Sequence, residues 1–147
     1  MPDIMHMLDC KSVTALVLGG ALHYLLQDGR LGSNRGERLA TLNGRLKRWY
    51  NANLGSNRLP PIRPGNLVAD GWADLHGPTI KAANTRGAAR LFRDIWRDYA
   101  RPANDRDAAI SELLNSLVAL YDALYGGADV LSGQPDRPYP GCVSDLW

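Results

Sequence analysis

Five arginines recur at one-turn intervals in the stretch TRGAARLFRDIWRDYAR: Arg86, Arg90, Arg93, Arg97 and Arg101. A guanidinium is planar, always charged and carries its donors in a fork that matches phosphate or carboxylate, so this spacing suits anion binding rather than proton transfer. At about 100° per residue the five fall within a sector of about 80°, while Ala88, Leu91, Phe92, Ile95, Trp96 and Tyr99 occupy the opposite side. The arginines are therefore expected to face away from the core. A plainer use of the same residues is a solvated helix, with Asp94 and Asp98 at one border of the stripe pairing with Arg90, Arg97 and Arg101.

Just upstream, HGPTIKAANTR places Lys81, Asn84, Thr85 and Arg86 near a possible helix start, where free N–H groups and the helix dipole attract anions. The simpler role for Asn84 or Thr85 is to cap the second half of a helix broken around Thr85 to Gly87.

Other chemistry has weaker support. The three histidines are His6, His23 and His76, and no HExxH, CxxC or GxSxG pattern occurs. His6 and Cys10 share a four-residue spacing and would need His76 and Cys142 brought close to make a zinc site; a buried Cys10 and a surface His6 are the ordinary outcome. No nucleophile has a local His partner and orienting carboxylate, and no phosphate-binding glycine loop is present. The sequence thus implies no catalytic residue, metal or cofactor. Arg58, Pro61 and Pro64 satisfy a basic-x-x-Pro-x-x-Pro spacing that in polyproline II form resembles an SH3 ligand, although such short motifs match by chance.

The elements that must position these residues are helical. VTALVLGGALHYLL (Val13 to Leu26) is apolar nearly all round and shorter than the roughly 20 residues of a bilayer span, so it reads as a central buried helix from about Ser12 to Gln27 rather than a signal or anchor. Its Gly19-Gly20 pair suggests close packing of another backbone. The pentapeptide LGSNR occurs at Leu31 to Arg35 and again at Leu54 to Arg58. Leu-Gly suits a helix end and Ser-Asn a turn or N-cap, so the two copies punctuate the helix between them, about Arg35 to Ala52. Leu39, Leu42, Leu46 and Trp49 form its stripe, Arg38 and Arg45 border it, and Lys47 and Arg48 lie outside it.

From Leu59 to Gly77 three prolines and three glycines remove helical periodicity, leaving an extended connection with Trp72 as a plug. A third helix is expected from near Pro78 to Ala100, stopped by Pro102, and a fourth from about Asp105 to Tyr125, opened by Asn104 with Asp105 and Asp107 favoured by the dipole. The tail 127–147 is Pro- and Gly-rich, with Tyr139 and Trp147 as anchors.

The chain has 147 residues, 45% hydrophobic and 22% charged, the size and composition of one globular domain. Its net charge of +2 conceals +7 between Arg30 and Arg63, +4 between Lys81 and Arg101, and −9 elsewhere. Two cysteines without a disulfide framework point to a reducing, intracellular compartment.

The sequence reading is a single all-α domain, an irregular bundle of about four helices with a long Pro/Gly-rich connection and an extended tail. Its expected role is a small non-catalytic module whose basic face meets nucleic acid or another polyanion through Lys81, Arg86, Arg90, Arg93, Arg97 and Arg101, joined by Arg45 and Arg48. The alternative is a structural subunit of a protein assembly, docking acidic surfaces through the Arg-rich helix, the Pro-rich loop and the tail, with no membrane involved.

Overall fold

A computed structural model describes residues 13–53, 58–67, 73, 75, 80 and 82–125. These form four α-helices: α1 (Val13–Gln27), α2 (Arg35–Asn53), α3 (Ala82–Tyr99) and α4 (Asp105–Tyr125), with a single 3-10 turn at Pro64–Asn66. No strand occurs among the described residues. The all-α bundle expected from the apolar periodicity is what the chain adopts. Pro78, Trp72 and the tail lie outside the described residues.

α3 and α4 make the most extensive helix pair, α1 packs on both, and α2 joins through α1 and α3. One core runs through the bundle, with Leu18, Leu22 and Leu25 from α1, Leu42, Leu46 and Tyr50 from α2, Leu91, Phe92 and Trp96 from α3, and Leu114, Leu117 and Tyr121 from α4. The Thr14 and Tyr121 hydroxyls share a buried hydrogen bond of 2.6 Å between α1 and α4, so neither buried polar group is left unsatisfied.

The first LGSNR copy works as punctuation. Asn34 Oδ1 accepts the Glu37 amide at 3.0 Å and Glu37 Oε2 accepts the Ser33 amide at 2.9 Å, which fixes the start of α2. Arg38 reaches back and donates to the carbonyls of Leu26, Gly32 and Ser33, satisfying the end of α1 and the turn after it. Gly29 has φ +79 and Gly32 φ +157; a Cβ on Gly32 would meet Glu37 Cβ at 2.8 Å, so this turn requires glycine. Residues 54–57 of the second copy lie outside the described residues.

Two local expectations are corrected. α3 runs unbroken through Thr85, Arg86 and Gly87, because Thr85, Gly87, Ala88 and Ala89 are all buried and their small side chains let neighbouring elements close on the helix. Thr85 is therefore a packing residue rather than a cap, and Asn84 donates to the Arg58 carbonyl at 2.9 Å, tying α3 to the long connection. In α1, Gly19 is buried, whereas a Cβ added at Gly20 would meet nothing within 4 Å among the described residues, so close packing is not required at the second glycine of the pair.

Candidate functional site

The arginine ladder is where α3 meets its neighbours, and its members have separate fates. Ala88, Leu91, Phe92, Ile95 and Trp96 are buried as the helical arithmetic requires. On the other side Arg90 pairs with Asp122 of α4. Arg93 and Arg97 converge on Asp94 Oδ1 at 3.0 and 3.2 Å. Arg101 contacts Asp107 at 3.2 Å and Asp28 at 3.3 Å, and donates to the Tyr24 hydroxyl. Arg45 of α2 pairs with Asp98 at 3.1 Å and lies over the Tyr99 ring.

This differs from the pairing expected along one helix. Asp94 and Asp98 sit on the α2 side of the stripe, so Asp94 also accepts from Trp49 Nε1 at 3.0 Å and Asp98 is taken by Arg45. Arg90 and Arg101 find carboxylates on other elements instead. Including Arg30, six arginines share five carboxylates in these pairs. Most of the ladder's charge is thus compensated within the protein.

At the centre is a node that sequence reasoning missed. Asp107 has a fully buried side chain and receives Arg30 Nη1 at 2.6 Å, Arg30 Nη2 at 2.9 Å, the Arg101 amide at 2.8 Å and Arg101 Nε at 3.2 Å. Arg30 also donates to the Tyr99 carbonyl at 2.8 Å, capping α3, and lies over the rings of Tyr24 and Trp96. From its place in the sequence Asp107 reads only as an acid favoured by the helix dipole. The one signal for more was Arg30 directly after the Gly29 turn, and its partner is 77 residues away. Burial by itself would raise the Asp107 pKa; hydrogen bonds from Arg30, then from the Arg101 amide and guanidinium, more than offset this and hold it at about 2.

Beside the node, α3 and α4 enclose an open groove of about 380 Å³. Arg93, Arg97 and Arg101 line one wall, Ala108, Ser111 and Asn115 line the other, and Trp96 forms part of the floor. Trp96 Nε1 donates to Ser111 Oγ at 2.9 Å, and Ser111 Oγ in turn donates to the Asp107 carbonyl at 2.8 Å, so this wall is rigid. Arg97 is 74% exposed and gives only Nη2 to Asp94, which leaves the rest of its fork turned to solvent. Among the described residues that line the groove the one acid, Asp107, is already spent on Arg30 and Arg101.

The structure therefore brings Arg93, Arg97 and Arg101 to one groove and leaves the other sequence candidates elsewhere. Arg86 is half-buried in the first half of α3, and Arg90 is held by α4. Arg45 is held by α3, and Arg48 is exposed on α2 beside exposed Lys47. Lys81, like His6, Cys10, His76 and Cys142, lies outside the described residues. Among the described residues no helix is long and apolar enough to cross a membrane. Comparison with protein-family models, curated proteins and solved structures yields no match.

Proposed function

We propose that the chain is a non-catalytic helical binding module whose α3–α4 groove receives the anionic groups of a nucleic acid or another polyanion, in a reducing intracellular compartment. The observation that carries this reading is an open groove lined by three arginines, one of them 74% exposed and giving a single nitrogen to a carboxylate that it shares with a second. Asp94 holds Arg93 and Arg97 together, so their forks are positioned before a phosphate arrives, which lowers the ordering cost of binding. Asn115 on the facing wall adds a neutral donor.

The test is a titration of the full chain with labelled single- and double-stranded nucleic acid between about 50 and 200 mM salt. Two contacts, from Arg93 and Arg97, give a slope of log affinity against log salt of roughly −1.4 to −1.8. The double variant Arg93→Gln/Arg97→Gln flattens that slope while leaving folding nearly intact, because partly exposed ion pairs contribute only about 0 to 1 kcal/mol each. Absence of any salt-sensitive binding by the wild-type chain refutes the reading.

A second reading, a subunit of a protein assembly, is favoured by apolar surface. Leu113, Leu120 and Leu124 are exposed on α4 at spacings that place them in one stripe, and Val13 and Leu16 are exposed on α1. Sedimentation at rising salt separates the two, since an apolar interface responds little to ionic strength.

A further inference from the structure

The outer face of α1 and α4 lacks the charge that a solvated helix surface carries. α1 has no Asp, Glu, Lys or Arg along Val13–Gln27. Among the exposed positions of α4 from Ala108 to Leu124 only Glu112 is charged, and the others are alanine, leucine, serine and asparagine. The exposed positions of α2, by contrast, include Arg35, Glu37, Lys47 and Arg48. Val13, Leu16, Leu113, Leu120 and Leu124 are each between 39% and 49% exposed, a large apolar surface for helices that meet only water. Two contacts set the two helices side by side. The Thr14 and Tyr121 hydroxyls meet at one end and Arg106 lies over the Tyr24 ring at the other, so α1 runs antiparallel to α4. At about 100° per residue Leu113, Leu120 and Leu124 fall within about 40° of one another, on the flank of α4 beside Leu117 and away from the α3 side marked by Ser111 and Asp122. Val13, Leu16 and Gly20 fall within about 60° on α1, on the flank beside Tyr24. The two stripes thus make one apolar patch across the outside of the α1–α4 seam.

The pattern of the patch is symmetric. Ala109, Leu113, Leu120 and Leu124 are spaced four, seven and four residues apart. A second α4 laid antiparallel about a point between Ser116 and Leu117 therefore brings Leu113 onto Leu120 and the larger Leu124 onto the smaller Ala109. A face that matches itself under a two-fold rotation is what an isologous interface requires, since one patch serves both copies. Glu112 lies about 80° round the helix from the leucines, so the rotation does not press like charges together. The same rotation lays α1 against α1. The Thr14–Tyr121 and Tyr24–Arg106 contacts put the turn of Leu16 and Val17 level with the two-fold, which sets Val13 opposite the other copy's Gly20. A Cβ on Gly20 would meet nothing within 4 Å, so this glycine leaves an open notch, and glycine weakens a helix interior unless something must approach closely. Sixteen residues of α4 span about 24 Å and two helices about 10 Å apart make a face about 20 Å wide, so pairing covers roughly 500 Å² per copy, about 1,000 Å² in all. That reaches the size of a specific interface and falls short of a permanent one, so the association is reversible.

We propose that the uncharged α1–α4 face pairs with the same face of a second copy of this chain, in a reversible two-fold dimer with α4 antiparallel to α4. The proposal rests on the apolar surface behind the assembly reading and names its partner. The α3–α4 groove lies on the other flank of α4 and stays open in the pair.

The experiment is equilibrium sedimentation of the full chain, in reductant, from about 1 to about 500 µM. The mass should climb from 16.1 kDa towards twice that value as concentration rises. Raising salt from about 50 to about 500 mM should leave the midpoint nearly unchanged, because the face carries almost no charge. Leu113→Gln/Leu120→Gln alters two exposed side chains and Gly20→Leu fills a notch that is open in the single chain, so both should keep their helices by circular dichroism. Each should nonetheless weaken pairing at least about tenfold. Arg48→Gln and Arg97→Gln, at exposed residues off the face, should pair like wild type. A chain that stays at 16.1 kDa throughout overturns the proposal, as does a dimer that the face variants leave intact, one that dissolves as salt rises, or growth past two copies. If the chain stays single but Leu113→Gln/Leu120→Gln changes its sedimentation in a cell extract, the assembly reading stands without self-pairing; if it changes nothing there, both fail.

Discussion

Replacing Asp107 by Ala strikes the node that joins three segments of the bundle. The substitution removes the acceptor of four hydrogen bonds, two from Arg30 and two from Arg101, and strands the Arg30 guanidinium, whose side chain is only 11% exposed. Removing one partner of a buried pair costs about 3 to 5 kcal/mol, because the remaining charge keeps its desolvation penalty. Asp28 stays within reach of Arg30 and offsets part of this, which places the expected loss near about 3 kcal/mol. For a chain of this size that lowers the melting temperature by roughly 10 °C, and it consumes a large part of a typical 5 to 15 kcal/mol stability. Urea unfolding followed by far-UV circular dichroism reads the change directly, and a double-mutant cycle with Arg30→Met isolates the coupling. The reasoning fails if Asp107→Ala costs under about 1 kcal/mol, or if its effect simply adds to that of Arg30→Met. The same node sets a pH dependence. The folded Asp107 pKa is depressed from 3.8 to about 2, so its contribution is complete above the unfolded value and disappears as pH falls through about 2. At 1.36 kcal/mol per pKa unit the ceiling is about 2.5 kcal/mol; Arg101 is open to solvent, and screening brings this to roughly 1 to 2 kcal/mol. Acid titration of wild type and Asp107→Asn should therefore converge below about pH 2 and separate above about pH 5.

The remaining perturbations probe packing and backbone. Trp96→Ala, at a buried ring whose Nε1 is bonded to Ser111, should lose about 3 to 5 kcal/mol in urea unfolding; a loss under about 1 kcal/mol contradicts its place in the core. The two glycines of contrasting surroundings should respond with opposite signs. Gly20→Ala has open space in a helix interior and should gain about 0.5 to 1 kcal/mol, whereas Gly32→Ala meets Glu37 Cβ and should lose about 1 to 3 kcal/mol. Thermal melts of both variants check the pair.

Helices were legible because their signals are local. Arg35, Asp105 and Tyr125 stand at helix ends where caps and glycines place them, and Trp96 falls on the core side by spacing alone. The unbroken course of α3 was not legible. Thr85 and Gly87 read as breakers in isolation, and only tertiary packing, which buries both, overrides that preference. The site shows the same division. The orientation of the ladder followed from helical period, but its charge balance depends on Asp28, Asp98, Asp107 and Asp122, which approach through tertiary contacts or from other elements. Likewise the spacing of Arg58, Pro61 and Pro64 was visible in the sequence, whereas the anchoring of Leu59 and Ile62 by Tyr50 and Asn43 was not.

The Arg30–Asp107 node also bears on the order of folding. α3 and α4 are joined by the short segment 100–104 and α1 and α2 by 28–34, so each hairpin forms through contacts close in sequence, which is the fast kind of assembly. The bond between Arg30 and Asp107 closes a span of 77 residues and joins one hairpin to the other. Loop closure must precede that contact, so the node is expected to form late in folding. A contact made after the transition state slows escape more than it hastens arrival, so Asp107→Ala should chiefly speed unfolding and leave the folding rate nearly unchanged.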